Sequence, residues 1–218
     1  MPLLHRHPNA KAAAAAAAER VLVCVTEALG RRGVASLALA GGRTPELLYG
    51  ALCDLAGRSD AARDALRRVD WFFSDERRVP PDDERSNYGA AARTLFEPLK
   101  IEPARVRRLI GEAPDAEAEA DRYAAVLTAA TGDRGCDVVL LGLGADGHVA
   151  SLYPGEASLA EKKRSVVPAE AKLRPFVPRL TFTFVAIERA RDVIFLATGA
   201  EKAAVLRRVL IEKDPSLP

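Results

Sequence analysis

Cysteine and histidine are scarce in this chain of 218 residues, and each scarcity excludes a class of site. The three cysteines, Cys24, Cys53 and Cys136, lie far apart and form no CxxC pair, so neither a disulfide framework nor a zinc site is expected. They are typical of buried thiols in a reducing compartment. Of the three histidines, only His148 lies outside the first seven residues. With no HxxEH-type spacing either, the sequence predicts no metal site.

Strong net charge and long apolar runs are also missing. Lysine and arginine number 32 against 30 aspartates and glutamates, a net charge of +2, which gives no indication of binding to nucleic acid or to an anionic membrane. No segment approaches the ~18 consecutive apolar residues that span a bilayer. The alanine-rich stretch at 12–18 lacks the cleavage site and apolar core of a signal peptide. We therefore expect a soluble, cytoplasmic protein, and predict a monomer.

Helix-like and strand-like segments alternate along the chain. The expected strands lie at 34–40, 68–75, 137–142, 164–168, 179–185 and 191–199, and the expected helices at 9–30, 44–56, 86–96, 114–130 and 200–211. This alternation predicts an α/β fold of three layers, with a mostly parallel sheet covered by helices on both faces. No repeat or break in composition divides the chain, so residues 1–218 are expected to form a single domain.

Ligands of open α/β sheets bind beyond the carboxyl ends of the strands, where two loops of this chain carry suitable groups. The segment DVVLLGLG predicts a buried strand, and the loop after it places Asp146 two residues from His148. The second loop, Gly41-Gly42-Arg43-Thr44, lies between a strand and a helix start. Its backbone N–H groups suit an anion such as phosphate. Taken alone, either loop could equally be an ordinary turn.

Two further strand ends carry basic residues. Asp75, Glu76, Arg77 and Arg78 follow an aromatic strand, a pattern that most often forms a solvated, ion-paired loop. An arginine there could instead hold a phosphate or an oxyanion as a planar fork. Lys202 stands in the first turn of the final helix, where a cation is unfavourable unless an anion lies nearby.

Taken together, these segments resemble the 6-phosphogluconolactonase family. The resemblance rests on five motifs in the family's order: GGRTP at 41–45, SDERRVPPDDERSNYGAA at 74–91, GLGADGHVASLYPG at 142–155, PRLTFT at 178–183 and TGAEKAAVL at 198–206. It implies a Rossmann-like fold and a hydrolase without cofactor or metal. The implied reaction is the hydrolysis of 6-phospho-D-glucono-1,5-lactone to 6-phosphogluconate in the oxidative pentose phosphate pathway.

The resemblance also assigns substrate-binding residues. Arg179 and Lys202 match family positions that face the substrate phosphate, and the amides of Gly41, Gly42, Arg43 and Thr44 would share it. Asp75 belongs to the same substrate-binding set.

The chain departs from the family pattern at two points. Tyr153 stands where the family's SLFPG motif has phenylalanine. Family members also usually continue past the last motif with another strand, whereas this chain stops at Pro218. Either that strand is missing, or the fold closes without it.

Lactone hydrolysis requires a base for the attacking water, stabilisation of an oxyanion and an acid for the leaving ring oxygen. An imidazole can serve as both base and acid at neutral pH. His148 is the candidate, because His5 and His7 lie in the N-terminal segment. Asp146 could orient the imidazole, and Arg77 could stabilise the developing negative charge. No GxSxG motif or Ser-His-Asp arrangement is evident, which favours direct attack by water over an acyl-enzyme.

Two alternatives stay open. Glucosamine-6-phosphate deaminases share the Thr-Pro loop, the Asp-Glu pair and the GxGxDGH loop, but their pattern has an Asn-Glu pair after the histidine. Here the histidine is followed by VASLYP, with no carboxylate before Glu156, and Arg77 replaces the deaminase pattern's aromatic residue. Both differences favour the lactonase. A non-catalytic protein that binds sugar phosphates is the second alternative, although binding alone would not require His148.

Overall fold

Seven strands form two sheets in the computed structural model, which describes residues 3–172 and 174–218. The strands are β1 (Ala35–Leu39), β2 (Val69–Phe73), β3 (Asp75–Arg77), β4 (Val138–Leu141), β5 (Val166–Ala169), β6 (Arg179–Phe182) and β7 (Asp192–Phe195). A four-stranded parallel sheet has the order β2-β1-β4-β7. A smaller antiparallel sheet has the order β3-β6-β5.

The helices expected at 9–30, 44–56, 86–96 and 114–130 begin within two residues of the predicted positions, whereas the helices at 60–67, 97–99 and 184–188 were not predicted. They are α1 (Ala10–Arg32), α2 (Arg43–Arg58), α3 (Asp60–Arg67), α4 (Asn87–Ala91), α5 (Glu97–Leu99), α6 (Ala116–Thr131), α7 (Phe184–Glu188) and α8 (Ala203–Arg207). Asn9 caps α1 by accepting the N–H of Ala12 at 2.9 Å, and α1 ends at Gly33 with φ 73°. Ser86 caps α4 in the same way, with the N–H of Gly89 at 3.0 Å.

Helices cover both faces of the parallel sheet, as predicted. Successive side chains of a strand point to opposite faces. Phe72 of β2 packs edge-on against Tyr123 of α6, with ring centroids 6.2 Å apart. Its neighbours Trp71 and Phe73 pack against Phe96, in the π-helical segment Ala92–Phe96 that continues α4. That segment lies beside α2, which in turn packs against α1. The mostly parallel α/β architecture is therefore confirmed.

The antiparallel sheet corrects the predicted strand at 68–75. The structure divides that stretch at Ser74, because the residues before Ser74 pair with β1 and those after it pair with β6. The N–H of Ser74 donates to the carbonyl of Leu39 in the parallel sheet at 2.8 Å, while its own carbonyl accepts the N–H of Phe182 in the antiparallel sheet at 2.7 Å. The chain therefore leaves one sheet and enters the other at this residue.

Two other predicted strands were too long, and one predicted helix differs in type. The strand expected at 179–185 ends at Phe182, and α7 begins two residues later, while the strand expected at 191–199 is limited to β7. The helix expected at 200–211 is a 3-10 turn, Ala200–Lys202, followed by α8 and the π-helical segment Arg208–Glu212. β7 forms an edge of the parallel sheet among the described residues, and Phe195 is 57% exposed there.

The cysteines differ in burial. Cys24 and Cys136 are buried free thiols, as expected, whereas Cys53 is only partly buried. Burial raises the pKa of Cys24 to about 11, which keeps this thiol protonated at neutral pH. In the part of the chain that the structure describes, no helix is both long and apolar enough to cross a bilayer.

Candidate active site

The Asp146–His148 pair lies in the loop at the carboxyl end of β4. All four residues of β4 are buried, as the run of valine and leucine predicts. The loop closes on itself because the N–H of Gly144 donates to the carbonyl of His148 at 2.8 Å. A Cβ on Gly144 would lie 2.0 Å from Nδ1 of His148, so glycine is required for this close approach.

The imidazole of His148 is held by the carboxylate of Asp146. Nδ1 of His148 lies 2.6 Å from Oδ1 of Asp146, and the same oxygen accepts the backbone N–H of His148 at 3.2 Å. With its proton on Nδ1, a neutral imidazole keeps Nε2 as a proton acceptor. The side chain of His148 is 23% exposed, so a substrate can reach it. The structure thus brings together the two side chains that the sequence predicted as base and orienting group, and those roles stay predictions.

The carboxylate of Asp75 joins this loop to three other elements. Its Oδ2 accepts the hydroxyl of Ser151 at 2.8 Å, three residues after His148, and its Oδ1 accepts Nδ2 of Asn87 at 3.1 Å. Nη1 of Arg179 lies 3.9 Å from Oδ2. All of these side chains are buried. Asp75 therefore acts as a link between β3, α4, β6 and the His148 loop, and its direct contact with substrate stays a prediction.

Glu76 binds the start of α4. Its carboxylate accepts the backbone N–H groups of Arg77, Asn87 and Tyr88, each at 2.7 Å, and the hydroxyl of Ser86 at 3.2 Å. Burial raises the pKa of Glu76, and the three N–H donors oppose that rise. The bonds anchor the first turn of α4 to β3.

The sequence prediction did not include Asn87, Ser151 or Glu76 as residues of the site. The available signal was the Ser86-Asn87 helix start, ten residues after an Asp-Glu pair. A carboxylate near a helix N-terminus commonly accepts its free N–H groups.

Arg77 and Arg179 lie opposite each other, as cross-strand neighbours of β3 and β6. Burial and the charge of Arg77 lower the pKa of Arg179. Nη1 of Arg77 donates to the carbonyl of Arg85 at 2.6 Å, and Nε of Arg179 donates to the carbonyl of Val177 at 2.9 Å. The guanidinium groups of Arg77 and Arg179 face each other, with the buried carboxylates of Asp75 and Glu76 nearby. Two adjacent guanidinium groups favour the binding of an anion.

Arg78 is directed elsewhere, as alternation along the strand predicts. Its Nη2 donates to the carbonyl of Pro114 at 3.2 Å and to that of Ala113, and both residues lie in the loop before α6. The adjacent arginines therefore have different surroundings.

The Gly41–Thr44 loop contacts both Asn87, which binds Asp75, and the segment that follows the last strand. A Cβ on Gly41 would lie 1.8 Å from Oδ1 of Asn87, so this glycine packs directly on the Asn87 amide. The hydroxyl of Thr44 lies 2.8 Å from that of Thr198, which follows β7. Gly42, with φ 108°, immediately precedes the first residue of α2, Arg43. The predicted phosphate loop thus adjoins the segment that carries Lys202.

Lys202 ends the 3-10 turn that follows Gly199. Its N–H donates to the carbonyl of Gly199 at 3.2 Å, and its side chain is partly exposed. Within residues 3–172 and 174–218, its ammonium group makes no ion pair. The position is consistent with a cation available to a ligand.

No cluster of three or more His, Cys, Asp or Glu side chains that could hold a metal ion occurs among the described residues. A cleft of about 240 Å³ lies near the opposite, amino-terminal edge of the sheet, between Arg32, Asp137 and Arg191. Arg32 pairs there with Asp137, and Arg191 pairs with Glu27 at 3.2 Å. This cleft contains none of the predicted site residues, so the carboxyl edge of the sheet is the candidate active site.

Known proteins share both the sequence pattern and the fold. A 6-phosphogluconolactonase from Streptomyces coelicolor is 35% identical over 96% of this chain and 83% of the relative. The structure of a 6-phosphogluconolactonase from Trypanosoma cruzi superimposes with a TM-score of 0.88 at 30% identity, covering 100% of this chain and 88% of the other. A monomeric glucosamine-6-phosphate deaminase superimposes with a TM-score of 0.80 at 25% identity, over 96% and 87% of the two chains.

The family described as Glucosamine-6-phosphate isomerases/6-phosphogluconolactonase matches residues 8–218. This match covers every segment on which the sequence resemblance rested. The chain belongs to this family.

Proposed function

We propose that this protein hydrolyses 6-phospho-D-glucono-1,5-lactone to 6-phosphogluconate, with His148 as the base that activates water. The relatives named 6-phosphogluconolactonase support the activity, since they match most of this chain at 30–35% identity. The observation that carries the mechanism is the 2.6 Å contact between Nδ1 of His148 and Asp146 at the carboxyl end of β4. It leaves Nε2 of the only histidine in this region for the substrate.

The proposed reaction needs two proton transfers. Water attacks the lactone carbonyl carbon while Nε2 of His148 takes its proton, which gives a tetrahedral oxyanion and an imidazolium. Asp146 stabilises that imidazolium by its charge. The oxyanion then collapses, the bond from the carbonyl carbon to the ring oxygen breaks, and the imidazolium returns the proton to that oxygen. The product is the open-chain acid, and the imidazole is again neutral.

Negative charge in this reaction has cationic partners in the site. Arg77 lies on β3 opposite Arg179 and is the proposed donor to the developing oxyanion. The proposed phosphate ligands are Arg179, Lys202 and the backbone amides of the Gly41–Thr44 loop. Gly42 stands at the N-terminus of α2, where the helix dipole favours an anion. No cofactor is needed for this chemistry, and we propose that none is used.

A deaminase is the runner-up, because the matched family includes glucosamine-6-phosphate isomerases. The residues after His148 favour the lactonase. The hydroxyl of Ser151 is committed to Asp75, and Glu156, the first carboxylate after the histidine, lies 3.0 Å from Lys172. Neither is arranged as the second proton-transfer group that ring opening of an amino sugar requires.

A turnover assay with two substrates tests the proposal and separates the alternatives. Purified protein is supplied with 6-phosphogluconolactone and, separately, with glucosamine 6-phosphate. We expect hydrolysis of the lactone above its spontaneous rate and no release of ammonia from the amino sugar. Ammonia release would identify a deaminase, and binding without turnover of either compound would identify a sugar-phosphate sensor.

The setting of the enzyme is also a proposal. The near-balanced charge of the chain suits a small-molecule substrate, and we propose a cytoplasmic monomer that binds neither nucleic acid nor membrane. Sedimentation of the purified protein would test the monomer.

Replacing His148 by asparagine should lower kcat by about 10²–10⁴, because a general acid–base group typically contributes that much. KM should change much less, since the proposed phosphate ligands are retained. Steady-state kinetics on the lactone measure both constants. A variant with nearly the original kcat would remove His148 from the mechanism.

Arg77 and Arg78 form a matched pair for testing the oxyanion donor. Arg77→Ala should lower kcat/KM by about 10²–10³, the usual cost of one lost oxyanion donor. Arg77→Lys should also be poor, because an ammonium cannot reproduce a planar fork.

Arg78→Ala is the control for this pair. It loses bonds only to the carbonyls of Ala113 and Pro114, so it should cost stability and leave kcat/KM nearly unchanged. Equal losses of kcat/KM in the two alanine variants would contradict the assignment of Arg77.

Lys202→Ala should mainly raise KM for the phosphorylated lactone, because the ammonium is proposed to bind the phosphate and not the reacting carbonyl. Residual activity on unphosphorylated gluconolactone should change far less. Kinetics on the two lactones provide the comparison. If both substrates lost activity equally, Lys202 would act on the chemistry or on the fold.

A further inference from the structure

The hydroxyl of Tyr153 differs from those of the other deeply buried tyrosines. Tyr49 donates its hydroxyl to the carbonyl of Ala40 at 2.5 Å, and Tyr123 shares its hydroxyl with the backbone of Phe73 and Arg107. A buried tyrosine hydroxyl normally finds such a partner. Tyr153 is only 2% exposed, yet its hydroxyl makes no hydrogen bond within the described residues.

This hydroxyl retains access to solvent. In the described structure, four side-chain nitrogens are both fully enclosed and without a hydrogen-bond partner; they belong to Arg32, Trp71, Arg77 and Arg78. The Tyr153 oxygen is not among these atoms. The ring of Tyr153 is thus buried, while its hydroxyl has neither a partner among the described residues nor complete enclosure.

The phenol of Tyr153 lies at the candidate active site. The Tyr153 ring packs against the His148 imidazole, with centroids 4.6 Å apart and planes inclined by 36°. Four charged side chains lie close enough to influence the pKa of the phenol: Arg179, Asp75, Asp146 and Arg77. The hydroxyl therefore lies among the groups to which the reaction is assigned.

The phenol is suited to donating a hydrogen bond and not to exchanging a proton. Burial raises the pKa of Tyr153 above its ordinary value near 10. The group therefore stays protonated at neutral pH.

We propose that the Tyr153 hydroxyl donates a hydrogen bond to the C2 hydroxyl oxygen of the bound lactone and so contributes to substrate selection. This inference rests on the proposed function. Tyr153 lies against His148, which acts at the lactone carbonyl carbon, so its hydroxyl is placed near the three atoms bonded to that carbon. The carbonyl oxygen is assigned to Arg77 and the ring oxygen to His148, which leaves the hydroxyl on C2.

The experiment compares the protein and Tyr153→Phe on two substrates, 6-phosphogluconolactone and its 2-deoxy analogue. Phenylalanine keeps the packing against His148 and removes only the hydroxyl. Loss of one neutral hydrogen bond should raise KM for the natural lactone about 2- to 12-fold. The value of kcat should stay within about twofold, and the shape of its pH profile should not change, because the hydroxyl does not transfer the proton. On the 2-deoxy lactone the two proteins should have the same KM.

Tyr123→Phe is the matched control, because it also removes one buried phenol oxygen but lies on α6, bonded to backbone groups. It should lower the melting temperature and leave KM unchanged on both substrates. An unchanged KM in an active Tyr153→Phe variant, an equal rise on both lactones, or a shifted pH profile would each overturn the assignment of Tyr153. A parent protein that hydrolyses neither lactone would overturn the proposed function instead.

Discussion

The candidate active site depends on two adjacent buried carboxylates at the point where the chain passes from one sheet to the other. Asp75 receives bonds from Ser151 of the His148 loop and Asn87 of α4. Glu76 accepts two backbone N–H groups at the start of α4 and that of Arg77 on β3. Buried carboxylates are costly unless such donors satisfy them. Satisfied in this way, they fix the relative positions of the loop, the helix and both sheets.

The passage at Ser74 explains why Arg77 and Arg179 meet. Had the chain continued in the parallel sheet, Arg77 would have had no antiparallel partner on β6. Because β3 joins the smaller sheet, Arg77 is set directly opposite Arg179, two residues along the strand from Asp75. The same fold places the Gly41–Thr44 loop against Asn87. A cationic pair and an amide-rich loop are therefore supported by one buried polar cluster, which is the usual condition for a precise site.

Local sequence predicted the parts of the structure that local chemistry determines. The run DVVLLGLG predicted β4 and the Asp146–His148 loop, and the helices expected at 9–30 and 86–96 begin within one residue of the predicted positions. The division at Ser74 could not be read from the residues. The polar residues after Phe73 resemble an ordinary loop at the end of a strand, and the partner strand β6 lies about a hundred residues further on. The enclosure of Asp75 was missed for the same reason, since its bond to Ser151 spans 76 residues.

The most direct test of this account is the equilibrium unfolding of Asp75→Asn in urea. Asparagine has almost the shape of aspartate but cannot balance the charge of the buried Arg179, 3.9 Å away, nor accept both the Ser151 and Asn87 bonds as before. The account predicts that the free energy of unfolding falls by about 2–4 kcal/mol, the range for removing one member of a buried charged interaction. A variant within about 0.5 kcal/mol of the parent, the range typical of surface substitutions, would contradict the claim that Asp75 holds the site together.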